Sequence, residues 1–289
     1  MAESRVRPLR LDDLAAAQQL SASAAWNQNV NDWSMMLRLG QGWGIDAVDA
    51  AGRMQLAASI VVLPYGERVA WASMVLVLPE FRRRGYAQLL LRHALAHLQV
   101  QGRAAVLDAT PAGHAVYVQE DFADTWSFAR YRREPGSALP PWPDGPQTRP
   151  LREADWPALD ALDRSAFGAS RLPLLRTLAQ RLPQAARVVE QGGRLRGYVL
   201  GRDGREALQV GPLLAEDEDV ACALLRDALL PLAGEAVYAD LLDRHGELLP
   251  WLQQRGFVFQ RPFTRMVHGS DAAPGDPTLI VLVAGPELG

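Results

Sequence analysis

The chain has 289 residues, 48% hydrophobic and 22% charged, with a formal net charge of −3; it can bury a sizeable core, is long enough for two domains, and gives no electrostatic reason to expect nucleic acid or an anionic membrane as a partner. All 30 basic residues are arginine, which excludes a P-loop lysine, a pyridoxal-phosphate Schiff base and a lysine general base. Cys222 is the single cysteine, so no intrachain disulfide is possible and its neighbours in ACALLRDALL mark a buried structural thiol; MAESRVRPLR has no secretory h-region and no long apolar run follows, so the expected location is the cytoplasm.

In chain order, the pattern predicts a short strand at 5–9, a helix from Asp12 as cap to about Ser23, and a second short helix after Asp32. Strands follow at about 44–49, 54–63 and 68–78, joined by the AAGR and PYGE turns. The stretch VLPEFRRRGYAQLLLRHAL then hands a buried strand over to a helix whose apolar residues Ala87, Leu90, Leu91, Ala94, Leu95 and Leu98 have helical spacing, with Gly102 as the stop. AAVLDA at 104–109 completes a strand–helix–strand crossover, and after ATPAG come a short helix holding Tyr117 and the strand FADTWSFARY.

RPLRLDD at 7–13 recurs as RPLREAD at 149–155, and Phe122, Phe128 and Arg130 share their spacing with Phe257, Phe263 and Arg265. Between the repeats lies the proline-rich EPGSALPPWPDGPQTRP, a stiff linker. The second half then repeats the order: strand, helices, hairpin, the strand ALQVGPLL, a helix at 218–230, the strand AVYAD, a helix near 247–255 and a strand from Phe257. The fold class is therefore α+β, a mixed sheet flanked by helices, written twice: a domain at 1–134, a linker at 135–147 and a second domain at 148–289. The closing PTLIVLVAGPELG is apolar enough to form a last strand that docks, on a half the sequence does not specify.

A helix N-terminus leaves N–H groups unpaired and carries partial positive charge, so it attracts anions. Gly85 permits a close approach to the main chain, small Ala87 keeps the first turn uncrowded, and Arg82, Arg83 and Arg84 add charge. The segment from Trp71 through Tyr131 resembles the core of the GNAT acetyltransferase superfamily, whose motif is Arg or Gln, two residues, Gly, one residue, then Gly or Ala; here the run is Arg82, Arg83, Arg84, Gly85, Tyr86, Ala87. The resemblance implies a turn that cradles the diphosphate of acetyl-CoA and a strand, Met74, Val75, Leu76 and Val77, that pairs with its pantetheine arm, with Thr110 a further cofactor contact. It also implies a tyrosine general acid, Tyr117, in a tyrosine–four residues–phenylalanine signature closed by Phe122, with Asp121 standing where the family has glycine.

Acetyl transfer to an amine needs donors for the developing oxyanion, which amides near Val75–Val77 could supply, and a proton for the departing thiolate. No general base is singled out: Asp108, Glu80 and Asp32 lie near the expected cleft, but each reads rather as a cap or a solvated carboxylate, which leaves water as a proton route. Trp26, Asn27, Gln28, Asp32 and Trp33 combine aromatic walls with polar groups and are the candidate acceptor site, with a capped helix and core tryptophans as the alternative. His93 and His97 lack the glutamate of HExxH and a third ligand, so no metal is expected. In the second half AEDED sets Glu216 against Arg82 and Asp219 against Gly85, acids that would repel a diphosphate, and Leu252 occupies the tyrosine slot; this copy is expected to be silent. The expected function is an acetyl-CoA-dependent N-acetyltransferase acting on a small-molecule or amino-acid-like primary amine. A non-catalytic acyl-CoA sensor and an aminoacyl-tRNA-dependent transferase are the alternatives, the latter opposed by the acidic balance and the lack of a basic arm. Oligomeric state is not legible.

Overall fold

The computed structural model describes residues 5–137, 145–270 and 272–289, so the expected linker at 135–147 falls partly outside them. The first half runs β1 (Val6–Pro8), α1 (Leu14–Ser23), α2 (Val30–Leu39), β2 (Gln41–Val48), β3 (Met54–Tyr65), β4 (Val69–Val77), α3 (Tyr86–Val100), β5 (Ala104–Ala109), α4 (Pro111–Val118) and β6 (Ala123–Arg133). The second repeats it as β7 (Thr148–Pro150), α5 (Trp156–Phe167), α6 (Leu172–Arg181), β8 (Arg187–Gln191), β9 (Arg194–Arg202), β10 (Leu208–Ala215), α7 (Glu218–Leu229), β11 (Val237–Leu242), α8 (Leu249–Gln253) and β12 (Phe257–His268), and adds β13 (Ile280–Leu282). The start of α2 differs from expectation. Asn29 is its cap, accepting from the N–H groups of Asn31 and Asp32, while Asp32 reaches back to the Asn29 N–H, a capping box.

Among the described residues, all strands join one sheet in the order β1-β2-β3-β4-β5-β12-β6-β11-β13-β10-β9-β8-β7. The halves exchange their long last strands: β12 pairs with β5 of the first half, β6 pairs with β11 of the second, and β6 and β12 pair with each other. The repeated Phe–Arg spacing lies on these two strands. Phe128 and Phe263 are cross-strand partners with rings stacked at 4.9 Å. Arg130 sits opposite Asp240 and Arg265 opposite Asp108, each guanidinium gripping its carboxylate with two hydrogen bonds of 2.7–2.9 Å. Both pairs are buried, so each half's last strand is fastened into the other by a buried charge-assisted fork.

Strand alternation divides the core. On β4, Ala70 and Ala72 face α3, whose Leu90, Leu91, Ala94 and Leu98 cover that side. Val69 and Trp71 face the opposite layer, where α1, α2, α5 and α6 build one continuous core from Leu20, Trp33, Met36, Phe167 and Leu175. α7 covers the second half with Val220, Leu224 and Ala228. Cys222 is partly buried there, and desolvation pushes its thiol up to about 11, as expected of a structural cysteine.

Candidate functional site

Parallel pairing of β4 with β5 stops at Trp71 and Val106. Further along, between the pairs Val61–Ser73 and Ser59–Leu76, one residue of β3, Ile60, faces two of β4, Met74 and Val75, a bulge. Met74 holds φ of +54°, a costly value for a non-glycine residue, and its carbonyl accepts from Ser59 Oγ at 2.8 Å. The bulge turns β4 away from β5 and opens a cleft of about 810 Å³ between Val75–Val77 on one wall and Thr110, Gly113 and Tyr117 on the other. The Leu78 N–H donates to Ala57 across β3, so by alternation the backbone groups of Val77 and Val75 point into the cleft.

The turn after β4 closes one end. Arg83 and Gly85 both have positive φ, +61° and +80°, and glycine meets the second at no steric cost. Among the described residues, none of the N–H groups of residues 83–88 donates to a backbone or side-chain acceptor. Arg82, Arg83, Gly85, Tyr86 and Ala87 line the cleft, as the expected cradle requires. Arg84 does not. Its guanidinium donates to the Glu80 carbonyl at 3.0 Å and lies over the Phe81 ring, so it braces the turn from behind. Glu80 accepts from Gln55 at the surface.

Tyr117 stands on α4, which Thr110 caps through the Gly113 N–H. Burial of its hydroxyl end pushes the phenol up to about 12. The Asp121 departure leaves the turn intact: Asp121 takes φ of +60°, the Phe122 N–H still donates to the Tyr117 carbonyl, and the Phe122 ring packs against Tyr117.

At the inner end, Trp26, Val75, Asp108, Thr110, Tyr117 and Arg261 are shared with a chamber of about 30 Å³. Met74 and Gln28 line this chamber rather than the outer cleft. Asp108 is neither a cap nor solvated: it is the buried partner of Arg265, and desolvation pushes its carboxyl up against that cation's pull. Of the acceptor candidates, only Trp26 and Gln28 reach the site. Asn27 faces the second half, bonding the Ala207 carbonyl and the N–H groups of Glu206 and Ala207. Asp32 is buried between Arg181 and Arg202, and Trp33 is core, its indole bonded to Ser21. The alternative reading, a capped helix and a packed tryptophan, fits Asp32 and Trp33; Asn27 instead joins the two halves. Sequence reasoning missed Arg261 and Phe263 on β12 and Glu287 near the C-terminus, all chamber residues supplied by the second half. The repeated Phe–Arg spacing was the one signal pointing there.

His93 and His97 pack edge-on against Trp43. No group of three or more His, Cys, Asp or Glu placed to hold a metal occurs among the described residues, and no described helix is long and apolar enough to cross a membrane.

A model of the acetyltransferase (GNAT) family matches residues 17–125, and a model of an acetyltransferase (GNAT) domain matches residues 159–280. The chain belongs to the GNAT acetyltransferase superfamily. Both GNAT units are present, in tandem. The chain is 24% identical over 250 residues to the uncharacterised N-acetyltransferase YitH of Bacillus subtilis, spanning 86% of each chain. Its fold is similar to that of a proposed acetyltransferase from Pyrococcus horikoshii (TM-score 0.80, 18% identity, 100% of this chain and 97% of that one). It is also similar to a tandem GNAT protein from the clavulanic acid biosynthesis pathway (TM-score 0.63, 17% identity, 92% and 98%).

The second GNAT unit has the same bulge, with Gly211 and Pro212 of β10 facing the single Leu200 of β9, and the same short parallel pairing of β10 with β11. Its gap is filled. The docking strand expected near the C-terminus is β13, which pairs antiparallel with β10 and touches β11 through Leu282 and Leu241, lying where the first unit has its open cleft. Gly211 makes this possible, since a Cβ there would lie 2.1 Å from the Val283 carbonyl. The start of α7 is also closed: Asp217 caps the Val220 N–H, and Glu216 is held by Arg194 and Arg196. Leu252, in the tyrosine slot, is buried core.

Proposed function

We propose that the chain is an acetyl-CoA-dependent N-acetyltransferase acting on a primary amine of a small molecule, with its active site in the first GNAT unit. The observation that carries this reading is the row of unpartnered amides at 83–88 opening onto a cleft whose far wall holds Tyr117. Those amides, with Arg82 and Arg83, suit a diphosphate, and the outward backbone of Val75 and Val77 suits a pantetheine amide. Acetyl-CoA supplies an acyl thioester. The Val75 amide, at the cleft's inner end, suits a developing oxyanion as donor. Tyr117 keeps its proton at neutral pH. Moving that proton fully from a phenol near 12 to a thiolate whose conjugate acid is near ~8.5 would cost about 5 kcal/mol, so the hydroxyl serves mainly as a hydrogen-bond donor to the leaving sulfur. The acidic balance and the absence of a basic arm weigh against a nucleic-acid partner.

Isothermal titration with acetyl-CoA tests the reading: one site per chain is expected, abolished by Arg82→Glu and untouched by Glu216→Arg. Two equivalent sites would contradict it. A thiol-release screen over primary amines then separates a transferase from a protein that binds the coenzyme without turnover.

A further inference from the structure

The inner chamber holds an unusual concentration of unsatisfied acceptors. Gln28 Oε1, Ser73 Oγ and Glu287 Oε2 are buried and have no hydrogen-bond partner, and all three residues line the chamber. Gln28 and Glu287 are 2% exposed and Ser73 7%. Burying such atoms unpaired is costly, the more so for a charged group; three acceptors in one place suit a ligand that brings several donors.

Glu287 ends a buried series of ion pairs. Asp203, Arg181, Asp32, Arg202 and Glu287 are ion-paired in series, three carboxylates to two guanidiniums, leaving one negative charge in excess. The other charged groups on the chamber are accounted for separately. Arg130 is paired with Asp240 and Asp108 with Arg265. Arg261, which forms no ion pair among the described residues, lies over the Phe263 ring with its Nε buried and without a hydrogen-bond partner; its charge offsets the excess of the series, and because it also lines the outer cleft it stands at the chamber's mouth. Glu287 reaches the chamber because β13, having filled the second unit's gap, runs on into the first unit. There the Pro286 carbonyl accepts from Trp71 Nε1 at 3.0 Å and the Leu288 carbonyl from the Tyr65 hydroxyl at 2.9 Å.

We infer that the second GNAT unit completes the first unit's acceptor site, with Glu287, Gln28 and Ser73 receiving the acceptor's amino group as a primary ammonium, which releases one proton to solvent through the open cleft before its nitrogen attacks the thioester. This rests on the transferase reading for its place in catalysis but not for the binding itself. An ammonium has three donors for the three acceptors. A chamber of about 30 Å³ has room for roughly two waters, enough for –NH3+ and its adjoining methylene and too little for a branched carbon. The same tail thus shuts one cofactor cleft and sets the acceptor preference of the other.

The test is ligand-observed NMR titration of the full chain with three probes of one shape: n-butylammonium, 1-butanol and butyrate. The ammonium should bind at least tenfold tighter than either other probe, Glu287→Gln should reduce it to the level of 1-butanol, and sec-butylammonium should bind at least tenfold more weakly than the linear ion. Equal binding of 1-butanol, or undiminished binding of the ammonium to Glu287→Gln, overturns the inference; preferential binding of butyrate would make Arg261 the anchor and overturns it too. Because Glu287 also pairs with Arg202, Ser73→Ala and Gln28→Leu provide a second route. Each should weaken the ammonium about three- to tenfold, and no change in either overturns the inference even if Glu287→Gln does not fold. Acetyl-CoA titration of the same variants keeps the two readings apart: coenzyme binding without ammonium binding sinks this inference alone, and ammonium binding without coenzyme binding sinks the transferase reading alone.

Discussion

Asp240→Ala should unfold the strand exchange far more readily than any surface change. Asp240 takes two 2.7 Å hydrogen bonds from Arg130, and the pair is 0–1% exposed. Without the carboxylate, the Arg130 guanidinium is left between the rings of Tyr238 at 4.8 Å and Phe263 at 5.6 Å with one 3.4 Å contact to Gln209, whose own amide loses its bond to Asp240. An uncompensated buried charge of this kind costs about 3–5 kcal/mol, a large share of a stability on the order of 5–15 kcal/mol. Removing both charges in Arg130→Met/Asp240→Leu should recover most of the loss, giving a coupling of at least about 2 kcal/mol. Glu153→Ala, which breaks the exposed pair with Arg176, should stay within about 1 kcal/mol. Urea unfolding followed by tryptophan fluorescence reads all of these. A loss below about 1 kcal/mol for Asp240→Ala, or a double variant no better than the single one, would show that water reaches Arg130 and that this pair does not fasten β6 into the second unit.

Three further outcomes follow from the first unit. Tyr117→Phe should lower turnover roughly 10- to 1000-fold with little change in acetyl-CoA affinity; unchanged turnover in a thiol-release assay would make the phenol structural. Because the folded phenol titrates near 12 and an unfolded one near ~10, the stability its neutral form contributes is complete below about pH 10 and lost as pH rises through the folded value. The rate profile should accordingly show no alkaline fall up to about pH 10, and a fall near pH 8 would refute that role. Gly85→Ala meets no protein atom within 4 Å of the added methyl, so calorimetry should show only the cost of its positive φ, about 1–2 kcal/mol; if a diphosphate lies against the turn, acetyl-CoA affinity should also drop at least tenfold, and unchanged affinity would place the diphosphate elsewhere.

What the sequence determined by itself is local. The helix over 86–100, the strand at 104–109 and the helix holding Tyr117 follow from apolar spacing, glycine stops and caps, which act within a few residues. The arginine-glycine turn was legible for the same reason: it needs only a strand end, a glycine and a helix start in succession. Partner choice between distant strands was not legible. β6 and β12 carry nearly the same pattern and would satisfy either half's sheet edge. Only the assembled sheet decides that they trade places, locked by Arg130–Asp240 and Arg265–Asp108. The roles of Asn27, Asp32 and Trp33 were decided in the same way, because a polar or aromatic residue beside a cleft in sequence becomes site, cap or core according to what docks over it, and here the second unit docked. Glu287 is the extreme case: no local pattern sets a carboxylate near the C-terminus into a chamber on the other unit, and only β13, seated in the gap between β10 and β11, carries it there.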